Sequence, residues 1–312
     1  MTDISMRHLR YFEALAQHGH FGRAAEACAI SQPALSLQVK ELEEILGAPL
    51  VERGTRQIRL TRLGEEFAAR ARGILQAVDE LGDLGRASHS PLAGRLRIGV
   101  IPTVAPYLLP AVMQRLGERF PGLDLRPREA VTQRLVDELV EGRLDTAIVA
   151  LPVSEPSLTE HALFEEEFVL VRPESEALQP VPNSETLRTM RLLLLQEGHC
   201  FREQALSFCN LSSQLPRDLM EGSSLTTLVQ MVGAGIGVTL IPQMAVAIET
   251  RSAAVSVARL AAPRPSRTIG MVWRRTNPLA GSFEQMAIIV GTVGLAGAVA
   301  GASAVPPDWH LG

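Results

Sequence analysis

Hydrophobic positions in the first ninety residues follow the period of amphipathic helices. Leu9, Phe12 and Leu15 recur at steps of three, and an Ala-rich helical stretch follows at 21–28. Between residues 35 and 46 the apolar side chains fall at i, i+4, i+7 and i+11, which places them on one helix face. Two helices joined by a tight turn, the second with a polar outer face, are typical of a helix-turn-helix motif.

The ends of the second helix are also marked. Ser31 is a candidate N-cap, Pro33 suits the first turn, and Gly47 ends the helix. Two apolar pieces within 50–60 then flank a turn centred on Gly54, which predicts a two-stranded wing. The wing region carries four arginines and no acidic residue between 53 and 62, so it forms a local basic patch.

A third, longer helix follows the wing. Thr61 can cap it, and apolar residues keep steps of three and four from Leu63 to Leu84, so we expect it to run to about Arg86. Such a sustained stripe resembles a coiled-coil seam and predicts a partner helix. The segment 88–94 is a linker.

From Arg95 the pattern changes to short apolar runs that alternate with helical stretches, which predicts an α/β region with mostly parallel sheets. The runs are LRIGVI (96–101), DTAIVAL (145–151), FVLVRP (168–173), RLLLLQ (191–196), GVTLIP (237–242) and TIGMVW (268–273).

Composition narrows the class of protein. The chain has 312 residues, enough for two or three domains, and a net charge of −4, so any nucleic-acid role depends on a local patch. Its three cysteines do not form a secreted disulfide framework, and the polar start predicts no signal peptide; we expect a cytoplasmic protein. The uncharged stretch 286–305 is rich in small residues and lacks anchors, so we expect no membrane span.

Two of the cysteines, Cys200 and Cys209, flank a segment that favours a helix. Nine residues of helix separate them by about 13 Å on opposite faces, whereas a disulfide needs Cα atoms within about 7 Å. They are either unrelated buried thiols or a pair that meets only when the helix comes apart. Cys28, after a run of small residues, is interpreted as a packed, inert thiol.

Common enzymatic patterns are missing from the sequence. No metal-ligand spacing, phosphate-binding loop or serine nucleophile elbow stands out, so no cofactor is assigned. A thiol peroxidase is disfavoured because no CxxC motif is present and the first 90 residues would be idle.

Together these features resemble the LysR-type transcriptional regulators. The segments that carry the resemblance are LRYFEALAQHGHFGRAAEACAISQPALSLQVKELEEILGAPLVER (9–53), RLTRLGEEF (59–67), EGRLDTAIVAL (141–151) and MVGAGIGVTLIP (231–242). Three more segments are similar to the peroxide-sensing branch: GVIPTVAPYLLP (99–110), GHCFREQALSFC (198–209) and SRTIGMVWR (266–274). The chain departs from that pattern at Val131, where a polar residue is expected, and after Ile289.

The resemblance implies a winged helix-turn-helix domain at 1–62, a dimerising helix and hinge at 63–93, and an α/β effector domain with two lobes, like periplasmic binding proteins, at 94–298. One lobe would comprise 94–165 and 268–298, and the other would comprise 166–267. A flexible tail would follow at 299–312.

In the first domain, a helix N-terminus in the major groove can present Gln32, Ser36 and Gln38 to base edges, while wing residues contact phosphate or the minor groove. We expect the DNA-binding residues to be Ser31, Gln32, Pro33, Ser36, Gln38, Lys40, Arg53 and Arg56.

For the sulfur chemistry, Cys200 lies at a helix start beside His199 and near Arg202, and each of these features favours a thiolate. Oxidation would give a sulfenic acid that Cys209 resolves, and the helix between them would refold. By resemblance, a peroxide pocket of Thr103, Thr132, His199, Arg202 and Arg267 surrounds Cys200. Simpler roles remain open: Thr103 as a helix cap, Arg267 in a surface ion pair.

The expected function is a peroxide-sensing, DNA-binding regulator. The alternative is a regulator that binds a small metabolite between the two lobes, with incidental cysteines. The resemblance implies a palindromic DNA operator, a homodimer or homotetramer, RNA polymerase and a thiol reductant as partners.

Overall fold

The computed structural model describes residues 3–52, 58–89, 92–208 and 220–304. Its internal contacts divide the chain into two compact units, residues 1–85 and 86–312.

The first unit is helical. Its helices are α1 (Met6–His18), α2 (Phe21–Ala27), α3 (Gln32–Leu46) and α4 (Arg62–His89). The predicted ends of α3 are confirmed: Ser31 Oγ accepts a hydrogen bond from the Ala34 amide, and Gly47 ends the helix with a φ of 69°. Phe12 and Leu35 are fully buried in the core that α1, α2 and α3 share.

The wing is present where the sequence predicts it. Val51 and Leu60 form an antiparallel bridge, and the Glu52 amide donates to the Arg59 carbonyl at 2.9 Å. The turn centred on Gly54 lies outside the described residues. A Cβ atom at Gly64 would lie 2.1 Å from the Leu50 carbonyl oxygen, so the first turn of α4 packs directly on the wing.

Helix α4 uses its apolar stripe in two ways. Thr61 caps it, as predicted, by accepting a hydrogen bond from the Gly64 amide at 3.0 Å. Near its start, Ala68 and Ala71 are buried. Farther along, exposed apolar side chains remain available to a partner helix: Ile74, Val78 and Leu81.

The second unit is an α/β domain built from two lobes. The elements of its first half are β1 (Gly94–Val100), α5 (Ala105–Arg119), β2 (Leu123–Glu129), α6 (Thr132–Val140), β3 (Thr146–Leu151) and β4 (Leu158–Pro173). Those of its second half are α7 (Ser184–Thr189), β5 (Leu193–Leu195), α8 (Cys200–Phe208), β6 (Met220–Gly222), α9 (Leu225–Gly233), β7 (Thr239–Pro242), α10 (Val246–Glu249), β8 (Val255–Arg259), β9 (Ser266–Arg274) and α11 (Ala280–Ala304).

The expectation of mostly parallel sheets is wrong, because the main sheet is mixed. Its order is β2-β1-β3-β9-β4-β7, with β8 also paired to β4. Strand β1 runs parallel to β2 and β3, but the β3–β9, β4–β9, β4–β7 and β4–β8 pairs are antiparallel. The cause is the crossover between lobes: β4 leaves the first lobe and β9 returns beside it in the opposite direction.

Each lobe has its own hydrophobic core. The first-lobe core includes Ile98, Trp273 and Phe283, and the second-lobe core includes Phe168 and Leu240. Strand β4 serves both lobes, since it pairs with β9 in its first part and with β7 and β8 from residue 168 onward.

The last helix corrects the predicted end of the domain. The sequence places a flexible tail from residue 299, whereas α11 continues to Ala304. Alanine has the highest helix propensity, which explains why this Ala-rich segment stays helical. In the part of the chain that the structure describes, no helix is both long and apolar enough to span a membrane.

Candidate functional site

A cleft of about 630 Å³ lies between the two lobes of the second unit. Helix α8, the start of α6 and the ends of β3 and β9 provide its walls. It is lined by Thr132, Gln133, Ala150, Leu151, Pro152, Val153, Phe168, Gly198, Cys200, Glu203, Gln204, Ser207, Phe208, Pro265 and Ser266.

Cys200 lies at the boundary between the two lobes. It is the first residue of α8, which confirms the predicted helix, and it lines the cleft with Gln204 and Ser207 at i+4 and i+7. Its side chain packs against the first-lobe core, whereas the adjacent Phe201 is buried in the second-lobe core. A change in the first turn of α8 therefore affects both cores. Cys209 lies outside the described residues.

Two residues that line the cleft each contain a buried polar atom without a hydrogen-bond partner among the described residues. Thr132 Oγ1, on the first residue of α6, and Gln204 Oε1, on α8, are both buried without a hydrogen bond. Val131 occupies the N-cap position of α6 and supplies no side-chain acceptor there. Gln204 is not among the residues predicted from the sequence, although its i+4 spacing from Cys200 places it on the same helix face.

Thr103 and Arg267 are brought together in a buried network. Arg267 Nη1 donates to Thr103 Oγ1 at 2.7 Å, and the guanidinium also donates to Glu166 Oε2 at 2.7 and 2.9 Å. Glu166 Oε1 accepts from the Met244 amide, so the network joins both lobes. Neither simpler role holds: Val104 is the N-cap of α5, and Arg267 is buried rather than on the surface.

The same guanidinium contacts the base of α8. Arg267 Cζ lies 5.7 Å from the ring centroid of Phe201 and 5.9 Å from that of Phe168. The two rings pack edge to face at 4.9 Å. These contacts attach the residue after Cys200 to the buried network through cation–π and aromatic interactions.

The structure does not bring Arg202 to the cleft. Its Nη1 donates to Glu221 Oε1 at 2.5 Å and to the Leu195 carbonyl at 3.0 Å. Residues two apart on a helix lie about 200° apart around its axis, so Arg202 faces away from Cys200. Arg202 therefore anchors α8 to the small sheet of β5 and β6.

His199 does not supply the positive charge that the sequence suggested. The residue is half-buried, and burial lowers the pKa of its imidazole below the ordinary value of 6.5. The ring is therefore neutral at pH 7.

In the first unit, burial and the nearby Glu13 carboxylate raise the pKa of the Cys28 thiol, which keeps that thiol protonated and poorly reactive.

The predicted DNA-facing side chains share the outer surface of α3. Ser31, Gln32, Pro33, Ser36 and Lys40 are all exposed. Two of the predicted DNA-binding side chains interact with other residues of α3. Gln38 Nε2 donates a hydrogen bond to Glu41 at 2.8 Å, and Lys40 Nζ lies 3.5 Å from the Glu44 carboxylate. Arg53 and Arg56 lie outside the described residues.

The wing is held to α3 by a residue that the sequence analysis missed. Glu43 Oε1 accepts from the amides of Leu50 and Val51 at 2.7 and 3.1 Å. Glu43 has no distinctive motif around it, so only the tertiary structure reveals this role.

Across the described residues, no cluster of three or more His, Cys, Asp or Glu could hold a metal ion.

Two family models cover most of the chain. Residues 6–65 match the bacterial regulatory helix-turn-helix proteins of the lysR family, and residues 89–289 match the LysR substrate binding domain.

Individual proteins show similarity over nearly the whole chain. A probable hydrogen peroxide-inducible genes activator of Streptomyces viridosporus is 44% identical over 91% of this chain and 92% of its own length. The DNA-binding transcriptional dual regulator OxyR of Escherichia coli K12 is 39% identical over 91% of this chain and 94% of its own.

Two solved structures are also similar. A full-length cysteine-to-aspartate variant of Pseudomonas aeruginosa OxyR matches with a TM-score of 0.74 and 36% identity, covering 93% of this chain and 95% of that one. The hydrogen peroxide-bound cysteine-to-serine mutant of Corynebacterium glutamicum OxyR matches with a TM-score of 0.66 and 32% identity, covering 97% and 99%.

Proposed function

This chain belongs to the LysR family of DNA-binding transcription regulators, in its OxyR branch, and we propose that a reversible Cys200–Cys209 disulfide switches it. It is a hydrogen peroxide-sensing transcription regulator and not an enzyme. The observation that carries the proposal is the position of Cys200, which lines the cleft and packs against the first-lobe core, while the adjacent Phe201 is buried in the second-lobe core.

The proposed chemistry has two steps. The Cys200 thiolate attacks hydrogen peroxide; the O–O bond breaks, a sulfenic acid forms and hydroxide leaves. The Cys209 thiol then attacks the oxidised sulfur, an S–S bond forms and water leaves. Two thiols and one peroxide thus give one disulfide and two waters.

We propose that Thr103, Thr132 and His199 bind and orient peroxide. Thr103 Oγ1 accepts from Arg267, so the hydroxyl hydrogen of Thr103 is free to donate to a second partner. The unpartnered Thr132 hydroxyl can donate and accept, as peroxide requires. The neutral His199 imidazole can take up a proton. For Arg202 we propose an anchoring role on α8 in place of peroxide contact.

Disulfide formation acts through the helix. Because α8 is helical from Cys200 to Phe208, bringing Cys200 to Cys209 requires the helix to unwind. Unwinding withdraws Cys200 from the first-lobe core and Phe201 from the second-lobe core. A single bond thereby becomes a rearrangement large enough to change a subunit interface.

Peptide mapping with alkylation-trapped thiols tests the switch. After stoichiometric peroxide we expect the mass of the parent protein to fall by two protons, mapped to a Cys200–Cys209 link. Cys200→Ser should lose the response and keep DNA binding, and Cys28→Ser should behave like the parent. Free thiols at both positions, with Cys200 no more reactive than Cys28, would contradict the proposal.

On the DNA side, we propose that α3 and the wing of one protomer read half of a palindromic operator. Exposed Ile74, Val78 and Leu81 would pair the α4 helices of two protomers, and two such dimers would form a tetramer. Val78→Asp should then weaken self-association, measured by sedimentation at micromolar concentration; an unchanged oligomer would exclude this face.

Other assignments also stay proposals. We propose the domain bounds 1–62 and 63–93 with an effector domain that begins at residue 94, a cytoplasmic location, activation through contact with RNA polymerase, and resetting by a thiol reductant.

One observation favours a second candidate function. The cleft volume of about 630 Å³ far exceeds the volume of a peroxide molecule. The cleft is lined by Thr132 and Gln204, whose buried side-chain oxygens lack a hydrogen-bond partner among the described residues. A regulator of this family that responds to a polar metabolite would use the same space. A transcriptional response that survives Cys200→Ser and disappears in Thr132→Val would support the metabolite over peroxide.

A further inference from the structure

The outer face of α3 contains an exposed apolar patch where the helix pattern calls for polar residues. Leu37 is 64% exposed, and Pro33 and Ala34, one turn before it, are exposed as well. At about 100° per residue, Leu37 lies directly opposite the buried stripe of Leu35, Val39, Leu42 and Leu46. The leucine therefore contributes nothing to the core of its own domain.

This patch occupies the centre of the surface that would enter the major groove. Around the helix axis, Leu37 lies between Ser36 and Gln38, which the sequence predicts to contact base edges. The sequence from Ser31 to Lys40 contains no acidic residue, whereas Glu41, Glu43 and Glu44 follow it. Because DNA phosphates repel these three carboxylates, the N-terminal half of α3 is the part that approaches DNA.

We propose that Leu37, supported by Pro33 and Ala34, is a specificity-determining residue that contacts the 5-methyl group of thymine in the major groove. Thymine is the only DNA base that presents an apolar group there, and its methyl is read by apolar side chains. The proposal rests on the DNA-binding part of the proposed function. Contact with Leu37 would favour thymine over cytosine at that position. Ser36 cannot supply this preference, because a serine hydroxyl can hydrogen-bond to either base.

Gln38 complements the assignment. Its amide nitrogen donates one of its two hydrogens to Glu41, which leaves the second hydrogen and the amide oxygen for adenine. Leu37 would contact the methyl group of the thymine in the same base pair. Leu37 and Gln38 thus address the two bases of an A·T pair by different chemistry.

Removing single methyl groups from DNA tests the contact. The full-length protein first selects a duplex from a random-sequence library, and each dT of that duplex is then replaced singly by dU. We expect the parent to lose about fourfold in affinity at one or two positions per half-site, the value of one buried methyl. Fluorescence anisotropy at fixed salt measures the dissociation constants.

Variants of Leu37 identify the side chain responsible. Leu37→Ala should bind the dT duplex more weakly and lose its sensitivity to dU, whereas Leu37→Met should keep it. Leu178→Ala, which truncates a fully exposed leucine in the effector unit, serves as the matched control and should behave like the parent.

Four outcomes would overturn the inference. The parent would bind every dU duplex as tightly as dT, or Leu37→Ala would keep the parent's dU sensitivity. A change of oligomeric state in Leu37→Ala, with unchanged dU sensitivity, would instead place a protein against this patch. Failure of the parent to select any duplex would refute DNA binding itself, and with it this contact.

Discussion

The anchor between Arg202 and Glu221 predicts how easily the switch is oxidised. The Arg202 side chain is 6% exposed and Glu221 is 38% exposed, and their bond fixes the first turn of α8 to β6. If α8 unwinds in the oxidised form, the bond stabilises only the reduced form. Glu221→Gln keeps the shape of the side chain and removes its charge, so it should destabilise the reduced state selectively.

The size of the effect follows from the bond type. An ion pair at the surface contributes about 0.2–1 kcal/mol. Because water reaches Glu221 but the Arg202 side chain is buried, we take the upper end, a loss of roughly 1 kcal/mol for Glu221→Gln. For a two-electron couple this makes the reduction potential of the disulfide about 20 mV more negative.

Equilibration in glutathione buffers of graded ratio, with thiols trapped by alkylation, measures that potential. Glu185→Gln removes an exposed charge elsewhere in the same lobe and is the matched control. Glu221→Ala, which removes the whole bond, should shift the potential further in the same direction. An unchanged or less negative potential in both Glu221 variants would mean that the anchor survives oxidation, and the unwinding model would then be wrong.

Three further predictions concern single side chains. Because burial lowers the pKa of His199, its imidazole binds protons more tightly in the unfolded chain than in the folded protein. The free energy of unfolding should therefore fall as the pH drops below about 6.5. Urea titrations at several pH values should show a less steep fall in His199→Gln. Tyr107→Phe removes a 2.6 Å hydrogen bond to the buried Glu249, so urea unfolding should show a loss of about 1–3 kcal/mol; a loss below 0.5 kcal/mol would contradict it. Glu43→Ala removes the hydrogen bonds to the wing amides and should weaken DNA binding roughly tenfold, measured by fluorescence anisotropy, although it also removes a negative charge. The control Glu44→Ala should bind DNA as tightly as the parent or more tightly.

Local sequence signals predicted local structure well. The cap at Ser31, the stop at Gly47 and the helix after Cys200 are each confirmed, because each depends on residues within one or two turns. The antiparallel β4–β9 pair and the Arg267–Glu166 contact depend on segments about a hundred residues apart, and no local pattern encodes them. Family resemblance named Thr103 and Arg267, but only the fold shows that they bind each other.

Strand β4 has a mechanical consequence for how a signal leaves the cleft. It runs for sixteen residues through both lobes and pairs with neighbouring strands on both sides of a register shift at Leu163, so it connects the two lobes directly. Helix α8 rests instead on β5 and β6, which pair over only three residues. If the proposed disulfide forms, we expect the strain on α8 to fall mainly on β5 and β6. The second lobe would then deform locally, while β4 and β9 keep their pairing.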